Sequence, residues 1–220
     1  MKIVSAEQYT PEWWEARKGI PTSSNFGKII TPAKGELSKQ AEGYACELVA
    51  QLYDPYYGEV EDYQSAAMKN GTILEPEARA FYEFERNAEV TEVGLCVSDC
   101  GRYGGSPDGL IGDDGCLEIK SVEGKTQIGY LEKGVLPTAH KVQCHGHLVV
   151  TGREWCDFFS YSPGLPPFLV RVFPDGYTYK VKSSVENFCD SLDVLRAKIA
   201  KMKAPPDLAE EPNESDVVLW

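Results

Sequence analysis

The stretch Tyr103–Lys120, Tyr-Gly-Gly-Ser-Pro-Asp-Gly-Leu-Ile-Gly-Asp-Asp-Gly-Cys-Leu-Glu-Ile-Lys, constrains this chain more than any other. Two apolar-containing segments flank Asp113-Asp114-Gly115, the composition of a β-hairpin turn. We expect the hairpin to fold about that turn with Asp108 opposite Glu118. Side chains alternate along a strand, so Glu118 and Lys120 share one face while Leu117 and Ile119 point the other way, into a core. Two carboxylates and a lysine then converge on one patch backed by apolar residues. Like charges directly opposed across a ladder destabilise a sheet. A bound divalent cation such as Mg²⁺ supplies a reason for them, because hard cations take carboxylate oxygens.

Composition narrows the class of protein. With 220 residues, 42% hydrophobic and 25% charged, the chain reads as one globular domain over 1–204 and an acidic tail over 205–220. The sequence has no bilayer-length apolar run and no signal-peptide core at its N-terminus, which predicts no membrane association and a cytoplasmic location. Seven irregularly spaced cysteines fit a reducing compartment better than a disulfide framework. The net charge of −12 argues against binding nucleic acid through bulk electrostatics. Five acids in 207–216 account for part of it, and −12 + 5 leaves −7 for the rest of the chain. Any contact with a polyanion then needs the positive charge gathered on one surface.

Taken in order, the sequence alternates helices and strands. Thr10, Pro11 and Gly19 punctuate a short helix as N-cap, first residue and stop, with Trp13 and Trp14 packing on the body. The hydroxyl run Thr22-Ser23-Ser24 suits a helix N-cap, and Arg17 can offer a planar fork of donors to an anion held there. Tyr44, Leu48 and Leu52 mark an amphipathic helix over 40–53, followed by a loop over 54–63. A second helical pattern runs from Gln64 to Ala88 with Met68, Leu74, Ala78, Phe81, Tyr82 and Phe84 as apolar candidates. Pro76 should kink or restart it, next to Glu75. One strand is expected over Val90–Val97 and a loop or short helix over Gly124–Leu136. A helix over Pro137–Thr151 stops at Gly152 and carries His140, Gln143 and His147 on one stripe. Cys144, His145 and His147 lack the second ligand pair of a zinc finger. Strands over Trp155–Tyr161 and Phe168–Phe173 and a closing helix over Ser184–Met202 complete an α/β arrangement around a small mixed sheet flanked by helices.

Four local signatures follow one another along the chain. They are Trp14-x-x-Arg17-x-Gly19 with Thr22-Ser23-Ser24; Gly71-x-x-x-Glu75-x-x-Ala78-Arg79; Ser106-Pro107-Asp108-Gly109 with Glu118-Ile119-Lys120; and Val142-Gln143. Their order and spacing over residues 10–150 resemble the phage lambda exonuclease family, the YqaJ-like viral recombinases or phage alkaline exonucleases of the PD-(D/E)xK superfamily. The resemblance implies a restriction-endonuclease-like core. It implies Asp108, Glu118, Glu75 and the Ile119 carbonyl as ligands of two Mg²⁺ ions, replaceable by Mn²⁺, and Lys120 and Gln143 beside the attacking water. Arg17 and Ser24 match a pocket for a 5′-phosphate. The implied activity is 5′→3′ digestion of one strand of linear double-stranded DNA, leaving a 3′ overhang for a single-strand annealing protein of a phage or prophage. A homotrimeric ring around DNA is implied as well. An endonuclease or resolvase of the superfamily, or a non-catalytic DNA-end-binding protein on the same fold, are the competing readings.

Overall fold

The computed structural model describes residues 1–54 and 66–203, with side chains from 73 onward in the second segment. Most of the expected 54–63 loop, the Met68 side chain and the acidic tail lie outside the described residues. The elements are β1 (Lys2–Val4), α1 (Pro11–Arg17), a 3-10 helix (Ser23–Lys28), α2 (Ala41–Tyr53), α3 (Ala66–Arg86), β2 (Val90–Thr91), β3 (Leu95–Val97), β4 (Gly104–Gly105), β5 (Gly109–Ile111), β6 (Gly115–Ser121), α4 (Gly124–Lys133), α5 (Thr138–Thr151), β7 (Trp155–Tyr161), β8 (Phe168–Val172) and α6 (Gly176–Lys203).

Strand β6 sits at the middle of a five-stranded sheet of order β2-β5-β6-β7-β8. It pairs parallel with β7 from Gly115↔Trp155 to Ser121↔Tyr161, and the other pairings are antiparallel, so the sheet is mixed as expected. A parallel pair needs a crossover, which α4 and α5 provide. Both faces of β6 are covered. Leu117 and Ile119 pack with Phe159 and Tyr161 against Ala78 and Tyr82 of α3. Cys116, Cys156 and Phe158 pack on the other side in a cluster with Val142 and Leu148 of α5 and Val185 and Leu192 of α6. All seven cysteines are free. Among the described residues no helix is long and apolar enough to cross a membrane.

Several elements differ from the sequence expectation. Val90–Val97 is not one strand: β2 joins the five-stranded sheet, and β3 joins a second sheet of order β1-β3-β4. The switch falls at Gly94, where a Cβ would stand 1.7 Å from the Ala6 carbonyl oxygen, so the chain passes too close to the N-terminal segment to carry a side chain. Helix α3 continues through Pro76 instead of restarting, since its packing on β6 outweighs the lost N–H. Phe84 and Trp14 are exposed, on the outer faces of their helices. The hydroxyl run opens a six-residue 3-10 helix, and Thr22 makes no capping bond. Residues 124–133 are helical, and α6 starts at Gly176 because Asp175 Oδ1 accepts the Tyr177 and Thr178 N–H groups at 2.8 and 3.1 Å.

One buried acid ties the sheet to α3. Asp157 on β7 accepts from Arg171 Nε and Nη2 on β8, both at 2.8 Å, and from the Tyr82 hydroxyl of α3 at 2.7 Å. The Arg171 guanidinium lies 3.6 Å over the Trp155 ring. Removing the carboxylate leaves the arginine and the phenol without their acceptor. Asp157→Ala should therefore cost about 3 kcal/mol in urea denaturation, and a loss below half of that would show that the network contributes little.

Candidate active site

The hairpin register matches the expectation over Gly109↔Leu117, Leu110↔Cys116 and Ile111↔Gly115, and departs from it at Asp108. There the Asp108 N–H donates to the Leu117 carbonyl at 3.0 Å, and Asp108 Oδ2 accepts the Ile119 N–H at 2.6 Å. The acid therefore does not oppose Glu118 across a regular ladder. Its carboxylate is clipped onto the backbone of the strand that carries Glu118.

Glu118 is fully buried on the α5 side of β6. Its Oε2 accepts from His147 Nε2 at 2.7 Å, and His147 Nδ1 lies 3.3 Å from the Ser23 hydroxyl. Its Oε1 forms an ion pair with Lys120 but has no partner in hydrogen-bond geometry. Burial alone would raise the Glu118 carboxyl, yet Lys120 and His147 outweigh it and hold the group below the usual range. Burial would likewise lower Lys120, but Glu118 and Asp108 prevail, and it stands as an ammonium. Asp108 goes the other way: burial, then the Glu118 charge, raises it despite Lys120. The sequence β4, Gly104-Gly105, has a packing reason here. A Cβ on Gly105 would fall 2.4 Å from Ser23 Oγ and 3.4 Å from His147 Nδ1.

A cavity of about 580 Å³ opens beside Asp108 and is lined by Tyr9, Glu75, Pro76, Arg79 and Glu92 among others. Glu75 thus reaches the same space as Asp108, from an unbroken α3. Its carboxylate is paired with Arg79 at 2.7 Å, and Arg79 also holds Glu92 at 2.6 Å. Among the described residues no three His, Cys, Asp or Glu groups stand in ready metal-ligand geometry. Gln143 lies on α5 one turn before His147, on the stripe that also holds His140. Burial, with Lys120 beside it, lowers His140 to about 4, so this stripe runs past the Lys120–Glu118 pair.

A second polar cluster forms around Arg17. Its guanidinium donates to the hydroxyls of Ser106 and Thr22, each at 3.2 Å, and lies 4.0 Å over the Trp13 ring. Thr22 Oγ1 is 3.4 Å from Ser24 Oγ. Trp13 Nε1 donates to Ser106 as well, at 3.0 Å. Burial lowers Arg17 to about 10, which leaves it charged at neutral pH. Among the described residues no carboxylate lies within ion-pair distance of it. The predicted pair Arg17 and Ser24 is therefore brought together, with Thr22 and Ser106 added. Ser106 is two residues before Asp108, so the two clusters share one loop.

Residues 12–154 match the YqaJ-like viral recombinase domain. The chain belongs to this family. Among solved structures, the chain is similar to an alkaline exonuclease (LHK-Exo) from Laribacter hongkongensis, at 33% identity and TM-score 0.70 over 88% of this chain and 100% of that one. The same figures hold for LHK-Exo in complex with dAMP. A phage related exonuclease from Haemophilus somnus 129PT shares the fold, restriction-endonuclease-like, at 12% identity and TM-score 0.60 over 82% and 96% of the two chains. No curated protein matches the chain.

His147 and Ser106 are the site residues that the sequence did not single out. His147 shared a helix stripe with Gln143, and Ser106 stood inside the Ser-Pro-Asp signature, but only the fold shows what each touches. Replacing His147 leaves a fully buried carboxylate oxygen without its donor. His147→Ala should cost about 2 kcal/mol in chemical denaturation, and His147→Gln, which keeps an N–H, should recover most of it. Equal losses would show that the ring's volume matters and its donor does not.

Proposed function

We propose that this protein is a Mg²⁺-dependent exonuclease that digests one strand of linear double-stranded DNA from its 5′ end and leaves a 3′ overhang. One observation carries the reading. A charged guanidinium on α1, with no carboxylate in ion-pair distance among the described residues, donates to Ser106, two residues before Asp108, whose carboxylate bonds the strand that carries the buried Glu118 and the Lys120 ammonium. The guanidinium suits a terminal phosphate, and the carboxylates with the ammonium suit a phosphodiester under attack. LHK-Exo carries the name alkaline exonuclease, and one of its structures holds dAMP, a deoxynucleoside monophosphate of the kind an exonuclease releases.

The residues present fit divalent cations. Burial, then the neighbouring Glu118 charge, raises Asp108, and Glu118 Oε1 is buried with the Lys120 ammonium as its ion-pair partner, so hard-cation oxygen ligands are gathered at one place. In this reading Asp108, Glu118 and the Ile119 carbonyl would hold one Mg²⁺ and Glu75, here paired with Arg79, would contribute to the second, with Mn²⁺ able to substitute. Bound there, the metal supplies Lewis-acid stabilisation of the scissile phosphate and a more acidic water. The chain's own groups do the rest. The Lys120 ammonium and Gln143 position the nucleophile, and Arg17, Ser24, Thr22 and Ser106 hold the 5′-phosphate. That anchoring sets where the cut falls and the direction of travel. A homotrimeric ring, delivery of the overhang to a single-strand annealing protein, and work in the cytoplasm of a phage-bearing bacterium complete the proposal.

The test compares 5′-phosphorylated and 5′-hydroxyl linear duplex with a closed circle, each with and without Mg²⁺. The phosphorylated end should be digested fastest and the circle should stay intact; equal rates at both ends would remove the role given to Arg17 and Ser24. Asp108→Ala should lower the rate by more than about a hundredfold. An unchanged rate would place the chemistry elsewhere.

A further inference from the structure

Tyr9 is the third residue of a turn closed by the Thr10 N–H on the Glu7 carbonyl at 3.3 Å. Its φ is +69°, a left-handed conformation that is costly for a bulky side chain. Such strain persists only where the surroundings over-determine it. Here Gln8 does so, donating from its side-chain amide to the Val93 carbonyl at 2.9 Å and the Pro107 carbonyl at 3.2 Å, beside Asp108. The ring rests on Trp13 with centroids 5.4 Å apart, and half of the residue is exposed, into the cavity that Glu75 and Asp108 also line. Its hydroxyl makes no hydrogen bond to another described residue. The charges it feels are those of Glu75, Asp108, Lys120 and Glu118, and Arg17 in turn feels Tyr9. The residue thus lines the cavity of Glu75 and Asp108 while its ring rests on the Trp13 indole that the Arg17 guanidinium covers.

We propose that Tyr9 is a substrate-contacting residue whose hydroxyl donates a hydrogen bond to the phosphodiester about to be cleaved, the one between the first and second nucleotides. This rests on the exonuclease reading above. The strained turn holds the residue at that cavity, and an anionic oxygen there has an unused O–H to accept.

The experiment uses the full chain with Mg²⁺ and linear duplexes bearing either 5′-phosphate or 5′-hydroxyl, comparing wild type with Tyr9→Phe and Tyr9→Gly. Tyr9→Phe keeps the ring and loses the donor. Its kcat/KM should fall about tenfold, the scale of a hydrogen bond to a charged group, and by the same factor on both ends. Arg17→Ala, by contrast, should lower the rate on phosphorylated ends by a larger factor than on hydroxyl ends. Tyr9→Gly suits a positive φ and should melt no lower than wild type while losing at least as much activity. Tyr9→Phe activity within twofold of wild type, a loss confined to phosphorylated ends, or a lowered melting temperature in Tyr9→Phe would each overturn the assignment. Wild-type protein that leaves every linear duplex intact would overturn the exonuclease reading itself.

Discussion

The structure depends on placing one carboxylate where water cannot reach it. Glu118 lies inside the sheet on a strand covered from both sides, and an uncompensated acid there would be expelled or protonated. It stays ionised because two groups answer it. Lys120 comes from the same strand two residues on, and His147 comes from α5. The rest of the architecture serves that placement. The crossover through α4 and α5 brings His147 over β6, the Gly104-Gly105 strand lets Ser23 approach the imidazole, and α3 closes the opposite face.

The hydrogen-bonded line Ser23–His147–Glu118 also joins two parts of the molecule. Ser23 begins the 3-10 helix, between Thr22 and Ser24 of the guanidinium pocket. Ser106 joins the pocket to Asp108 along the chain, and His147 joins it to Glu118 through space. The anion pocket and the carboxylate pair are thus held by one frame of short connections.

Much of this was legible in the sequence because it is local. Alternation placed Leu117 and Ile119 away from Glu118, and turn chemistry set the register of Gly109 to Ile111. Periodicity found α2, α5 and the apolar stripe of α6. What the sequence hid depends on contacts between distant segments. The split of Val90–Val97 between two sheets falls where Gly94 passes close against the Ala6 backbone, and the His147–Glu118 bond spans 29 positions. Thr22 looked like a cap and instead serves Arg17, since a hydroxyl's partner is decided by what packs beside it. Asp108 was expected to face Glu118 across the ladder, but a side chain that bonds the Ile119 N–H cannot also sit in a regular pair.

The parallel pairing of β6 with β7 carries a consequence for how this protein can fail. Seven consecutive partners tie the strand's alternation to its neighbour. A slip by a single residue would turn Glu118 toward the greasy surface of α3 and Leu117 toward an imidazole. Alignment and charge placement are then the same variable. No partly shifted form can keep a weakened version of the centre, and damage to this strand should appear as loss of the folded state before it appears as altered chemistry.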